Sequence, residues 1–364
     1  MMKMKSDYKK LKDDVEWFFV SLGYKFLSLQ LLIDTYIDYF WYYFNYFVLH
    51  KDIEDRHDHF VPQFVLRNFS FSQKKDKFFL YAYKRNDKSS FSTTTKNIAN
   101  QIGFYNTKNK YTKRQSNFVD RKIYGMLEGR TSRIINKIIT QKSLDISHLE
   151  ECVLASFVGH LYTRTPSFRG QLKNFLLYIL ENQIIKLEQI EDKDFLRGIL
   201  LNNSLGIEQK KLVKYNYSKN KLSDVDGAEN FMSFASLMIG DKISEELYYK
   251  KIHLLEIKNK DFFITSDNPV SMFNFKEMPV FPTGWDFKDK YTAICFPISP
   301  SLCLIYDEVG GRKDVRGVEG ELSLLSELIN NVIMLYADKF VFSSENSKKV
   351  QDLFNSMGRQ YKYK

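Results

Sequence analysis

Three polar residues have side chains that suit proton transfer beside an anionic substrate. His59 and Gln63 stand in the segment HFVPQFVLRNF (59–69), and Arg164 opens the segment RTP (164–166). An imidazole exchanges a proton near neutral pH, and a guanidinium or an amide can hold phosphoryl oxygens. Because Pro62 and Pro166 mark places where elements begin or end, we expect these side chains to lie close together in one cleft.

Two carboxylates compete to complete this group. Asp267 stands in the turn-like segment TSDNPV (265–270) after a predicted strand, and Glu128 lies on a predicted helix. Either one could orient His59 or hold Mg²⁺. His57 and His59 also form an HxH pair, a spacing that can bind metal, but without a clear third ligand the sequence does not predict a metal site.

Each of these residues also has a purely structural interpretation. His59 could be a hydrogen-bonded histidine of the core, and Asp267 could do no more than stabilise its turn. Arg164 could form an ion pair with Glu128 or Glu151.

Positive charge is concentrated between positions 60 and 142, where eighteen Lys and Arg residues stand against four acidic ones. Aromatic residues are interleaved with them, a combination typical of proteins that bind single-stranded nucleic acid. The alternative is a solvated basic surface over a Phe-rich core. The candidate nucleic-acid contacts are Arg67, Lys84, Arg85, Lys113, Arg114 and Arg121.

The composition is that of a globular protein with an anionic partner. The chain has 364 residues, 44% of them hydrophobic, and a formal net charge of +10. These values exclude wholesale disorder and a disulfide scaffold. Three cysteines without a CxxC spacing and a charged start without a cleavage site predict a reduced, cytoplasmic protein.

The first 51 residues are predicted to form a separate N-terminal element. Apolar residues recur every three or four positions from 15 to 48, which predicts a long amphipathic, aromatic-rich helix. Lys25, Asp34 and Asp38 divide it into runs too short to cross a bilayer. Packing on the protein or on a second copy of the chain is favoured over attachment to a membrane surface.

Residues 52–364 are predicted to form one α+β domain. Strands are expected at 78–83 near the start, and at 253–256, 262–265, 293–297, 302–305 and 340–342. Helices are expected at 118–140, 147–163 and 319–337, and a Ser/Thr loop at 89–95. Ser147 and Glu150 are predicted to form a capping box at the start of the second helix. This order predicts a central helical bundle flanked by strands from both ends.

Together, these segments resemble a known bacterial family, domain of unknown function 4238. The resemblance covers residues 57–345 and follows the order of seven segments. They are HFVPQFVLRNF (59–69), NIANQIGFY (97–105), the helix with Asp120 and Glu128, RTP (164–166), TSDNPV (265–270), FPISP (296–300) and ADKFVFSS (337–344). The resemblance implies a site at these segments without naming its chemistry.

Two classes of function follow from the residues. In the first, the chain is a nucleic-acid-directed phosphodiester hydrolase, such as a nuclease that serves as a toxin or phage-defence effector. His59 would be its general acid or base, Arg164 and Gln63 would stabilise phosphoryl charge, and Glu128 or Asp267 would support them. In the second, the chain binds nucleic acid or docks a partner without catalysis.

Overall fold

The structure is a computed structural model of the 364-residue chain. It describes residues 57–86, 89–105, 107–108, 115–116, 123–172, 225–257, 261–274, 287, 289–308, 315–316 and 321–353. The predicted N-terminal helix lies outside these residues. Among the described residues, no helix is long and apolar enough to cross a membrane.

The first described element is a short strand whose neighbouring side chains point to opposite sides. In β1 (His57–His59) the side chains alternate, so that Asp58 is buried while His57 is exposed and His59 is partly buried. The buried Asp58 carboxylate accepts a hydrogen bond from the backbone N–H of Tyr105 at 2.9 Å. This bond fixes the strand, and the two imidazoles therefore point away from the core.

A single helical turn follows. Pro62 caps α1 (Gln63–Arg67), whose apolar side chains Val65 and Leu66 are buried. Pro62 has extended backbone angles, so the helix begins one residue later than a proline at the first helical position would place it. Gln63 and Arg67 share one face of the turn, as their spacing predicts, because the Arg67 Nη2 group donates to Gln63 Oε1 at 3.4 Å.

Strands from the two halves of the chain form one antiparallel sheet. The central strand β3 (Lys77–Lys84) pairs with its sequence neighbours β2 (Ser72–Lys74) and β4 (Ser90–Thr94). It also pairs with β14 (Phe340–Ser343), which in turn pairs with β9 (Thr265–Ser266). The α+β class is therefore confirmed.

The predicted loop at 89–95 is wrong, because most of it forms strand β4. Ser and Thr residues in this stretch show no hydrophobic alternation, which is why the sequence reads as a loop. Its strand conformation comes from pairing with the apolar β3, where Tyr81 lies opposite Ser92 and Phe79 lies opposite Thr94. The β-branched threonines fit such a partly buried surface.

Two further two-stranded pairs complete the first half of the chain. Strand β5 (Asn100–Ile102) pairs with β1, and β6 (Thr107–Lys108) pairs with β7 (Gln115–Ser116).

A second sheet has the strand order β10-β11-β12-β8-β13, in which β13 pairs with β8 in parallel and the other neighbours pair antiparallel. Its two central strands are buried along their whole length, which explains their continuous apolar sequence. The bounds are β8 (Lys251–Glu256), β10 (Ser271–Asn274), β11 (Thr292–Ser299), β12 (Leu302–Asp307) and β13 (Val315–Arg316).

Among the described residues, four longer helices pack with these sheets: α2 (Gly125–Gln141), α3 (His148–Thr163), α4 (Val225–Tyr249) and α5 (Glu321–Tyr336). The capping box predicted at Ser147 and Glu150 is confirmed and starts α3. Helices α3 and α4 approach closely at Gly159 and Gly240. A Cβ atom on Gly159 would lie 2.7 Å from the backbone nitrogen of Ser244, so only glycine permits this approach.

Candidate functional site

An open, polar cleft lies between β1, α1 and the first two turns of α2. It encloses about 430 Å³. The residues that line it are His57, His59, Gln63, Phe64, Arg67, Gly125, Glu128, Gly129 and Ser132. Three of the five residues predicted to form the site, His59, Gln63 and Glu128, therefore face one space.

A carbonyl group fixes the orientation of His59. Its Nε2 atom lies 3.2 Å from the backbone oxygen of Lys96. Because a carbonyl oxygen only accepts hydrogen bonds, Nε2 must carry the hydrogen, which leaves Nδ1 as the nitrogen that can take up a proton. Burial lowers the pKa of His59 below its ordinary value of 6.5; the backbone acceptors Lys96 and Thr95 oppose this effect, and the nearby His57 and Arg164 add to it. The imidazole is therefore neutral at pH 7.

The segment 96–100, which leads into β5, also orients His57. The amide nitrogen of Asn100 donates to the carbonyl oxygens of Lys96 and Ile98, which leaves its Oδ1 atom to accept. His57 Nδ1 lies 2.8 Å from that oxygen and must be its donor. The remaining nitrogen of His57, Nε2, is thus the one that can exchange a proton with a ligand in the cleft.

A partly buried ion pair joins Glu128, which lines the cleft, to the buried Arg164. Arg164 is only 1% exposed, and its Nη1 group donates to Glu128 Oε1 at 2.8 Å. Its Nε group donates to the backbone oxygen of Phe60, the residue after His59, at 3.0 Å. Arg164 thereby ties α3 to β1 and α2, and it realises the pairing with Glu128 that its sequence context allowed.

The surroundings of Arg164 keep it charged. Burial is the largest single effect and would lower the pKa of its guanidinium, but the carboxylate of Glu128 together with Tyr105 and Tyr124 outweighs it, so the pKa is raised. The guanidinium also lies 4.9 Å from the centre of the Tyr124 ring, a favourable cation–π distance. Arg164 itself does not line the cleft, and it reaches a ligand there only through Glu128 and β1.

The structure does not bring Asp267 to the cleft. Its carboxylate is buried and accepts hydrogen bonds from three consecutive backbone N–H groups, at distances of 2.7–2.9 Å. These donors belong to Asp338, Lys339 and Phe340, which lead from α5 into β14. Burial raises the pKa of Asp267 to about 6, and the three amide donors oppose that rise. Its contacts are those of a residue that stabilises a turn, and Glu128 is the acidic residue that lines the cleft.

The three predicted nucleic-acid contacts that the structure describes do not form one patch. Arg67 lines the cleft and stacks over Phe78, with the guanidinium carbon 5.0 Å from the ring centre. Lys84 and Arg85 lie at the opposite end of β3, roughly 20 Å from Phe78 at the usual rise of a strand. The Arg85 side chain also donates to the backbone oxygen of Ala337. Lys113, Arg114 and Arg121 lie outside the described residues.

A basic and aromatic hairpin near Arg67 was not among the predicted binding features. Strands β2 and β3 meet at a turn with three exposed lysines, and the ring of Phe71 stacks on Tyr81 at 4.3 Å between ring centres. Phe71 is 41% exposed. The sequence pattern that could have predicted this hairpin is the segment KKDK (74–77) with aromatic residues on both sides. The exposed lysines are Lys74, Lys75 and Lys77. By contrast, Tyr105, one of the rings of the basic window, is fully buried.

The HxH pair shares the cleft with one acidic side chain. Glu128 lines the cleft with His57 and His59, and its Oε1 atom is held by Arg164. Within the described part of the chain, no three or more His, Cys, Asp or Glu side chains are grouped so that they could hold a metal ion.

Comparison with known proteins gives one match. The profile of a family described as "Protein of unknown function (DUF4238)" matches residues 57–347, which include every element that builds the cleft. No curated protein and no solved structure matches the chain.

Proposed function

The chain belongs to the family described as Protein of unknown function (DUF4238), and from that premise we propose that it is a hydrolase that cleaves phosphodiester bonds in nucleic acid. His59 is its general acid or base. The cleft that contains this histidine is built wholly from the part of the chain that the family profile matches.

One observation carries the proposal: His59 is a neutral imidazole with a defined tautomer at the wall of an open polar cleft. The bond to Lys96 leaves Nδ1 as its basic nitrogen, and burial favours the neutral form. A histidine of the core would need neither an open cleft nor a free nitrogen. Both are requirements for a general base that acts on a bound substrate.

The groups opposite His59 suit an anionic substrate. Arg67 is exposed and lines the cleft, where its guanidinium can bind phosphoryl oxygens. Gln63 lies one helical turn away and can donate its amide N–H to the same group. Arg164 is a positioning residue, because its guanidinium is buried and holds Glu128 in place.

The surface next to the cleft favours a polymer over a small phosphate ester. The exposed Lys77 is next to Phe78 on β3, and the Phe78 ring stacks under Arg67; Lys74 and Lys75 lie at the end of β2 and in the turn before Lys77. The exposed Phe71 ring offers a face on which a base can stack. A single-stranded chain could then run from the cleft across this hairpin.

The second candidate is a nucleic-acid-binding protein without catalytic activity. The same hairpin favours it, because lysines and an exposed ring are sufficient for binding. The two candidates differ in the purpose of His59, and so its substitution separates them.

The test is a panel of end-labelled single- and double-stranded RNA and DNA, incubated with and without EDTA. The key variant is His59→Gln, because the glutamine amide nitrogen can replace Nε2 as donor to Lys96 but cannot act as a base. The control is His148→Gln, which removes a half-exposed histidine on α3 outside the cleft.

We expect the wild type and His148→Gln to cleave, and His59→Gln to bind but to lose at least about a hundredfold in rate. Binding without cleavage by all three proteins would support the non-catalytic candidate. Equal cleavage by all three would remove His59 from the reaction.

A further inference from the structure

We propose that His57 and His59 act as a pair of proton-transfer groups, and that the substrate is RNA, cleaved by attack of its own 2′-hydroxyl. This inference rests on the proposed function and gives it a substrate and a second catalytic residue. It is carried by the geometry of β1 and of the loop that orients both rings.

The pair is built by the alternation of a strand. His57 and His59 are separated by Asp58, whose side chain is buried, and both histidines line the cleft. Residues two apart on a strand share a face and lie about 7 Å apart. That spacing allows two side chains to flank one phosphoryl group, whose entering and leaving oxygens lie on opposite sides of the phosphorus.

One loop sets both tautomers. The backbone oxygen of Lys96 accepts from His59 Nε2 and from the side chain of Asn100, and Asn100 in turn accepts from His57 Nδ1. The nitrogens left for chemistry are therefore different ones, Nδ1 of His59 and Nε2 of His57. A histidine pair that served only the fold would not need one shared anchor to hold both rings at a cleft wall.

Their surroundings assign the two roles. His59 is partly buried and close to the guanidinium of Arg164, which favours its neutral form and suits a base. His57 is exposed, so it can take up a proton from solvent and deliver it. Arg67 stands across the same cleft and is placed to balance the charge that develops on the phosphoryl oxygens.

The reaction then balances without a further reactant. His59 Nδ1 takes the proton of the 2′-hydroxyl, and the 2′-oxygen forms a bond to phosphorus. The bond between phosphorus and the 5′-oxygen breaks, and that oxygen takes a proton from His57 Nε2. The products are a 2′,3′-cyclic phosphate and a free 5′-hydroxyl, and exchange with solvent restores both histidines.

The inference favours RNA because only RNA carries the internal nucleophile. In DNA a water molecule would have to be placed and activated in line with the leaving oxygen. In RNA the nucleophile arrives with the substrate, so two proton-transfer groups and one cation complete the site.

The test uses labelled RNA oligonucleotides that the wild type cleaves, together with copies that carry one 2′-deoxy nucleotide at the cleaved position. The variant His57→Asn keeps the donor to Asn100, because the asparagine amide nitrogen can replace Nδ1, but it has no acid. The variants His59→Gln and His148→Gln serve as the positive and the neutral comparison.

We expect a cyclic phosphate and a 5′-hydroxyl among the products, and no cleavage of the 2′-deoxy copy although it still binds. His57→Asn should lose at least about a hundredfold in rate with unchanged RNA affinity. The wild-type rate should fall at acid pH as His59 becomes protonated, and His57→Asn should keep this acid limb.

Three results would overturn the inference and leave the proposed function standing: a 5′-phosphate product, cleavage of the 2′-deoxy copy at the normal rate, or full activity in His57→Asn. Absence of cleavage of any RNA or DNA by the wild type would instead overturn the proposed function, and this inference with it.

Discussion

At the scale of single residues, buried polar side chains hold the exposed ones in place. The Asp58 carboxylate holds β1 in place by accepting a hydrogen bond from the N–H of Tyr105. Arg164 donates to the backbone oxygen of Phe60 and to the carboxylate of Glu128. Each of these buried charges has a defined partner, which offsets the large cost of burying it. The imidazoles of β1 are thereby presented to the cleft on a rigid support.

Asp267 provides the clearest prediction at this scale. Replacing it with asparagine puts an N–H₂ group where the carboxylate accepts backbone N–H groups, so at least one buried donor loses its acceptor. We expect Asp267→Asn to lower the free energy of unfolding by about 1–3 kcal/mol. Urea unfolding measures this loss, and Asp76→Asn on the exposed β2–β3 turn is the control.

The rate of nucleic-acid cleavage by the folded fraction should stay normal in Asp267→Asn. A loss of cleavage with unchanged stability would show that Asp267 takes part in the reaction.

The sequence could predict part of the site because its residues stand at the ends of elements. Pro62 and the end of α3 suggest one cleft for His59, Gln63 and Arg164; in the structure His59 and Gln63 line the cleft, whereas Arg164 is buried outside its lining. Arg164 pairs with Glu128, one of the two acidic partners that the sequence allowed. The partners of Asp267 lie about seventy positions away, in a turn whose backbone geometry no local pattern encodes. The role of Asn100 likewise depends on the pairing of β1 with β5.

At the scale of elements, the close approach of α3 and α4 supports the end of α3, where Arg164 stands. Gly159→Ala would place a methyl group against the backbone of Ser244 and the carbonyl of Gly240. Since neither backbone can move without separating the helices, we expect a loss of about 1–3 kcal/mol in unfolding free energy. Urea unfolding again provides the measurement.

Gly170 provides the matched control for Gly159, because an added Cβ there meets nothing within 4 Å. Gly170→Ala lies in the helical segment 166–172 and should leave stability unchanged or raise it by about 0.5–1 kcal/mol. Equal effects of the two substitutions would contradict a close backbone contact between α3 and α4 at Gly159.

Strongly patterned elements were predictable and weakly patterned ones were not. The helix at 148–163 begins at its capping box as expected, and the apolar strands β3, β11 and β12 lie where their composition predicts. Strand β4 owes its conformation to its partner and was missed. The helix predicted at 118–140 is present as α2 (Gly125–Gln141), and its predicted start at 118 lies outside the described residues.

At the scale of the whole molecule, the excess of positive charge is distributed over more than one surface. Arg67 and the β2–β3 turn lie near the cleft, whereas Lys84 and Arg85 lie at the other end of β3. Composition shows that such charge is present, but only the pairing of the strands decides which lysines share a face. The basic window alone therefore could not identify the surface next to the site.

This distribution leads to a prediction about binding. Affinity for a fluorescent single-stranded oligonucleotide should fall steeply as the salt concentration rises, because lysines that bind phosphates displace the counterions condensed on the oligonucleotide. Lys77→Gln should reduce the slope of log affinity against log salt by about 0.7, whereas Lys348→Gln on the exposed C-terminal segment should not.

Phe71→Ala should weaken binding by about 1–3 kcal/mol, the range for loss of one stacked base, and leave the slope unchanged. Fluorescence anisotropy at several salt concentrations measures both quantities. An affinity that does not depend on salt would contradict a phosphate-binding surface.

The central claim is that neutral His59 accepts a proton in the cleft, and the pH dependence of single-turnover cleavage tests it most directly. Because burial lowers the pKa of His59, the base stays active down to a pH below 6.5, and the rate should fall only as the pH drops further. The rate for His59→Gln should be at least about a hundredfold lower and should lack this acid limb. If His59→Gln cleaved at the wild-type rate and showed the same acid limb, the account would be contradicted.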